Sequence, residues 1–135
     1  MKIIAALLGL FFVTSHGWTA EQTNSVAPVS VVKKVSVEEY EKLRADTNNI
    51  VVDVRSLAEF EKGRIPKAVN IDINSSKFTE KIAALDTNKT YLVNCAVGMR
   101  SAKASKKMEA MGFKKIYDLN SGFDGWKKSG LPVEK

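Results

Sequence analysis

The chain has 135 residues, 44% hydrophobic and 27% charged, with a formal net charge of +6. That length supports one domain with a core of its own and excludes two, and the composition is that of a soluble globular protein. A single cysteine, Cys95, excludes an intramolecular disulfide. The only histidine, His16, lies in a segment expected to be removed, which leaves no imidazole for acid–base work and argues against a zinc site.

Met1 and Lys2 give a short positive start, residues 3–13 are apolar without a charge, and Thr14, Ser15, His16 and Gly17 are small or polar. This is the pattern of a secretory signal over 1–20, cleaved between about 15 and 20. The apolar run falls short of the about 20 residues that a spanning helix needs, so no stable membrane anchor is expected after cleavage. The mature protein is expected in the periplasm or outside the cell, and as a monomer. Its basic excess survives loss of Lys2 and suits anionic ligands or a solvated lysine face; nucleic-acid binding is not expected. Residues 21–30 are polar, contain Pro28 and read as a flexible arm, leaving 31–135 as the folded domain.

Within that domain, β-branched residues over 29–35 predict a first strand. Ser36 with Glu39 three residues later has the spacing of a capping box that opens a helix, with Tyr40 and Leu43 on its inner face and a turn over 46–49. Ile50-Val51-Val52-Asp53-Val54 is the near-continuous apolar run of a strand covered on both faces. Ser56 with Glu59 repeats the capping box, and Gly63 ends that short helix. A strand over 68–73, a helix over 77–85 and a turn over 86–89 follow. Tyr91-Leu92-Val93-Asn94 is the next strand, and it runs directly into Cys95. Helix formers fill 101–111, with Ala104, Met108 and Met111 on one face, and Gly112 stops them. A last strand over 115–119 leads to a short helix carrying Phe123 and Trp126. Strands alternating with helices predict an α/β domain with a mainly parallel central sheet flanked by helices on both faces.

The chemistry concentrates in Asn94-Cys95-Ala96-Val97-Gly98-Met99-Arg100-Ser101, where a buried strand gives way to a helix. Open α/β sheets place ligands at such carboxyl ends. A loop there can aim several backbone N–H groups at one point, Gly98 permits a turn that a side chain would hinder, and the following helix adds a partial positive charge. A cysteine in that cradle ionises more readily than a free thiol, and the thiolate is the reactive form. Arg100 adds a fork of donors suited to a tetrahedral oxyanion. The plainer alternative is a core cysteine that merely ends a strand.

The stretch resembles the active-site loop of rhodanese-like domains, in which a cysteine, a glycine and an arginine punctuate six residues. Val51-Val52-Asp53-Val54-Arg55, then Glu59-Phe60 and Gly63-Arg64-Ile65-Pro66-Lys67-Ala68-Val69-Asn70, resemble the family's early motifs. Gly112-Phe113 and Asp118-Leu119-Asn120-Ser121-Gly122-Phe123 with Trp126 resemble its closing one. The similarity runs over roughly 32–133, and in size and export the chain resembles small periplasmic rhodaneses of bacteria. It departs from the family at Arg64, where a histidine is frequent, at Lys67, where a small residue is usual, and at Ser121, which replaces the first of two glycines.

The resemblance implies a sulfurtransferase without a cofactor or metal. Cys95 would carry a sulfane sulfur as a persulfide, moved from a small anionic donor such as thiosulfate to a thiophilic acceptor such as cyanide or a thiol. Arg100 would orient the donor, and the amides of Ala96, Val97, Gly98, Met99, Arg100 and Ser101 would hold the charge. Asp53 and Arg55 are expected to form a structural hydrogen bond or ion pair near the site, with substrate contact as the alternative. A phosphatase or arsenate reductase has five residues between its cysteine and arginine; here there are four, and the smaller ring suits a single sulfur. A non-catalytic persulfide carrier or binding module would carry the same residues.

Overall fold

The computed structural model describes Gly17 and residues 31–135; apart from Gly17, the expected signal and arm lie outside the described residues. Five strands form one parallel sheet: β1 (Val32–Val35), β2 (Ile50–Asp53), β3 (Val69–Asn70), β4 (Thr90–Asn94) and β5 (Lys115–Leu119), in the order β1-β5-β4-β2-β3. The helices are α1 (Val37–Arg44), α2 (Leu57–Lys62), α3 (Phe78–Ala83), α4 (Met99–Ala110) and α5 (Gly122–Lys128). Parallel strands need crossovers, and here those crossovers carry the helices that cover the sheet.

The period-two alternation of the strands divides the core into two layers. Val35, Val51, Leu92 and Leu119 face α1 and α5, where they pack with Val37, Tyr40, Phe123 and Trp126. Val52, Tyr91, Val93, Cys95 and Ile116 turn the other way, onto Phe78 and Ile82 of α3 and Ala104 and Met108 of α4. Trp126 is fully buried, meets Tyr40 edge-on at 6.3 Å and donates its indole N–H to Pro132 O at 2.9 Å. β4 is the middle strand, with β2 and β5 on its flanks, so the residue that follows it leaves the centre of the sheet.

Both capping serines accept a hydrogen bond from the amide three residues on. Only Ser56 completes the reciprocal box, because Glu59 returns to its backbone N–H at 3.0 Å, whereas Glu39 pairs with Lys33 instead. The expected strand over 68–73 shrinks to Val69–Asn70, although the amides of Ile71 and Ile73 still donate to Asp53 O and Val54 O. The helix expected from 101 begins at Met99, since Gly98 makes the turn from strand to helix in a single left-handed step (φ 100°).

Candidate active site

Cys95 leaves β4 at the carboxyl end of the sheet and is followed by a loop of three residues before α4. The loop is held from outside by its carbonyls. Phe123 N–H donates to Cys95 O at 2.8 Å and Asp124 N–H to Ala96 O at 3.0 Å, both from the first turn of α5. With the carbonyls engaged outward, amides are left to point inward, and Gly98 N–H reaches Cys95 Sγ at 3.1 Å. The Ser101 hydroxyl lies 3.5 Å from the same sulfur and donates to Gly98 O at 3.2 Å.

Two glycines allow this packing. A side chain at Gly98 would run into the carbonyl of Asn120, and one at Gly122 (φ 64°) into the carbonyl of Ala96. The second glycine of the closing motif is thus required where backbone meets backbone. Ser121, at φ −92°, occupies ordinary space for a side chain.

Cys95 is 1% exposed. Burial opposes ionisation of its thiol, but the Ser101 hydroxyl and the amides of Ser101, Gly98 and Val97 outweigh it and bring the thiol below its ordinary range. The sulfur is therefore neither a plain core group nor open to solvent. Of the expected cradle, Val97, Gly98 and Ser101 face the sulfur. Ala96 serves through its carbonyl, while the side chains of Val97 and Met99 stand 58% and 79% exposed on the rim.

Arg100, expected to orient the donor, is paired in this structure: Nη1 and Nη2 donate to the two carboxylate oxygens of Glu59 at 2.8 and 2.9 Å. The Arg100 hydrogen bonds, against some burial and helped by Ser56, hold the Glu59 carboxyl at about 2, well below its usual 4.5. Glu59, read in the sequence only as a helix cap and a motif position, thus joins α2 to the active loop across 41 residues of chain. Arg100 still lies close enough to feel the charge on Cys95.

Asp53 and Arg55 form a buried ion pair. Arg55 Nη2 meets Asp53 Oδ2 at 2.7 Å, donates to Gly63 O at 2.7 Å, and its guanidinium lies 4.3 Å from the centre of the Phe123 ring. With Asp53 0% and Arg55 4% exposed, the pair braces the floor beneath α2. Arg64 turns to Glu134 at 3.6 Å and stacks on Phe60. Lys67 lines a separate cavity of about 350 Å³ with Arg44, Thr47, Asn49 and Ile50, near the start of β2 and at the opposite end of the sheet from Cys95. Among the described residues no group of three or more His, Cys, Asp or Glu side chains is placed to hold a metal ion.

The geometry defines a thiol-centred site at the carboxyl end of a parallel α/β sheet, its sulfur cradled by backbone amides. The family model for the rhodanese-like domain matches residues 36–129, and the chain belongs to that family. It is 35% identical over 92 residues to YtwF of Bacillus subtilis, covering 68% of this chain and 86% of that protein. It is 30% identical over 95 residues to the thiosulfate sulfurtransferase GlpE of Pseudomonas savastanoi pv. phaseolicola, covering 70% and 87%. Among solved structures, a rhodanese-related protein from Thermoplasma volcanium superposes with a TM-score of 0.66 at 33% identity, over 76% of this chain and 97% of that one.

Proposed function

We propose that the protein is a thiosulfate sulfurtransferase whose Cys95 shuttles one sulfane sulfur between an anionic donor and a thiophilic acceptor. The observation that supports this most is the Gly98 N–H on Cys95 Sγ at 3.1 Å, with the amides of Val97 and Ser101 also favouring the ionised sulfur. Such a cradle stabilises a thiolate without a neighbouring base, which suits a mature chain lacking histidine.

In the first half-reaction the Cys95 thiolate attacks the outer sulfur of thiosulfate. The S–S bond of the donor breaks with its electron pair, sulfite leaves, and Cys95 carries a persulfide anion. In the second, cyanide or a thiolate attacks the terminal sulfur, the persulfide S–S bond breaks, and the Cys95 thiolate returns as leaving group. Both forms of the residue carry one negative charge, so the same amides serve throughout and need not reorganise between steps. Arg100, tied to Glu59, contributes charge and shape at the rim; sharing its fork with the donor is its part in this reading. The protein would work exported and as a monomer, as its N-terminal pattern and size suggest.

Steady-state thiosulfate:cyanide sulfurtransferase activity tests the proposal. The mature protein should form thiocyanate with double-displacement kinetics, and Cys95→Ser should not. Turnover that survives in Cys95→Ser would remove the assignment.

A further inference from the structure

Beside the active loop lies a cavity of about 300 Å³ that takes no part in the scheme above. Lys62 at the end of α2, Lys127 on α5 and Lys135 form its rim, and Gly63, Phe123 and Val133 its apolar floor. The space exists because Gly63 has no side chain: a Cβ there would come within 3.2 Å of Val133 Cγ1 and 3.6 Å of the Phe123 ring. The outer wall is fixed. Trp126 donates its indole N–H to Pro132 O at 2.9 Å, and Arg64 and Glu134 exchange two backbone hydrogen bonds, each at 2.9 Å. Phe123 and Glu59 join the cavity to the reacting sulfur. Phe123 gives its N–H to Cys95 O and its ring to the floor, while Glu59, on the wall, holds Arg100.

The charges that line this space are not equally free. Arg55 is bonded to Asp53, and Glu59 to Arg100. Lys127 meets Asp124 at 3.7 Å in a pair half open to water, and such a pair holds a lysine weakly. Lys62 has no ion-pair partner among the described residues. The loop itself offers the opposite: its exposed side chains, Val97 and Met99, are apolar, and Arg100 is occupied. An anionic group carried by a sulfur acceptor therefore finds unengaged cations in the cavity rather than over the loop.

Access to the sulfur narrows the class of acceptor. Cys95 is 1% exposed, so a slender nucleophile is needed to reach the outer sulfur of a persulfide there. A thiol at the end of an unbranched carbon chain meets that condition, and the rest of the chain needs a seat. The Phe123 and Val133 floor suits methylenes, and the lysine rim suits a carboxylate.

Resting on the transferase reading, we propose that the cavity between α2, α5 and residues 132–135 is the acceptor subsite, taking a low-molecular-weight thiol whose far end is a carboxylate. The thiol loses its proton to solvent, and the thiolate bonds to the terminal sulfur of the Cys95 persulfide. The S–S bond to Cys95 breaks with its electron pair going to Cys95, and the acceptor leaves as its own persulfide. The carboxylate stays on Lys62 and Lys127 and takes no part in the bond changes, so the two lysines set which acceptor is preferred.

Two linear thiols that differ only at the far end test this: mercaptohexanoate, and mercaptohexanol, which has a hydroxyl in place of the carboxylate. With the purified protein loaded from thiosulfate, the acid at subsaturating concentration should take sulfur about three- to tenfold faster, as for a carboxylate meeting two partly exposed cations. That ratio should shrink with added salt and fall to about one in the double variant Lys62→Gln/Lys127→Gln. Hexanoate, which has the tail and the charge but no sulfur, should bind the free protein saturably and move the amide resonances of Gly63 and Phe123; hexanol should not. If no persulfide forms, the transferase reading fails while hexanoate still reports on the cavity. If persulfide sulfur passes equally to acid and alcohol, the subsite fails alone. Hexanoate that shifts lysine resonances over the whole surface without saturating would overturn the proposal, as would an acid preference that survives in the double variant. An acidic cysteine peptide that outpaces mercaptohexanoate, and loses that lead in the double variant, would overturn the small-molecule assignment in favour of a protein acceptor.

Discussion

Gly98→Ala probes the cradle most economically, because Gly112 supplies an internal control. Both glycines hold similar left-handed backbone, φ 100° and 92°, yet a side chain at Gly112 would meet nothing within 4 Å, whereas at Gly98 it would strike the carbonyl of Asn120. Each alanine should incur about 1–2 kcal/mol of backbone strain, lessened alike by the stiffer unfolded chain. Only Gly98→Ala carries the collision as well, and a backbone carbonyl cannot swing aside like a side chain, so a further cost of about 1–3 kcal/mol is expected. The shift that relieves the clash also draws the Gly98 N–H off the sulfur. One hydrogen bond to a charged group contributes about 1.5 kcal/mol, which corresponds to about one unit in the pKa of Cys95. Urea denaturation of the two variants measures the stability difference, and the pH dependence of iodoacetamide alkylation measures the thiol. If Gly98→Ala unfolds at the same midpoint as Gly112→Ala and alkylates like the unaltered protein, the backbone cradle is not what ionises Cys95.

The Glu59 shift from 4.5 to about 2 would correspond to about 3 kcal/mol taken whole. With the Arg100 and Glu59 side chains 31% and 38% exposed, solvent screening leaves about 1 kcal/mol. A carboxyl held lower in the folded state contributes its stability above the unfolded value and loses it as pH falls through the folded one. Glu59→Gln should therefore cost about 1 kcal/mol near neutrality in urea melts, with the gap to the unaltered protein closing between pH 4.5 and 2. A gap that stays constant across that window would deny the ion pair its weight. Lys67 is the one non-glycine residue with positive φ among those described, at 65°. Lys67→Gly should raise stability by up to about 1 kcal/mol while leaving turnover alone, because its backbone bond to Glu134 remains and the site lies at the other end of the sheet; a destabilised variant would show that its side chain matters more than its backbone.

What could be read beforehand follows the range of the interactions. The runs at 50–54 and 91–94 announce buried central strands because every residue in them is apolar or strand-ending, and the register Val52↔Val93 sets them side by side. The Ser56–Glu59 cap and the Gly98 turn are contacts within three residues, visible as spacing. Lys67 as a departure from a small residue becomes intelligible only from its backbone angle, which no sequence prints. The pairing of Glu59 with Arg100 was hidden for a different reason. Both residues have sufficient local explanations, a cap and a loop arginine, and nothing local says that α2 lies over the loop. Asp118 was legible only as a motif position; its burial follows from the order β1-β5-β4, which makes β5 interior, and from α4, which closes the face on which Asp118 lies.

The central claim is that the sulfur of Cys95 accepts another sulfur atom. The intact mass of the purified protein after incubation with thiosulfate and removal of excess donor answers it directly. A gain of one sulfur, reversed by cyanide and missing from Cys95→Ser, is the predicted result. An unchanged mass under conditions where iodoacetamide modifies Cys95 would contradict the account, since the thiolate would then be reactive yet unable to take sulfur from this donor.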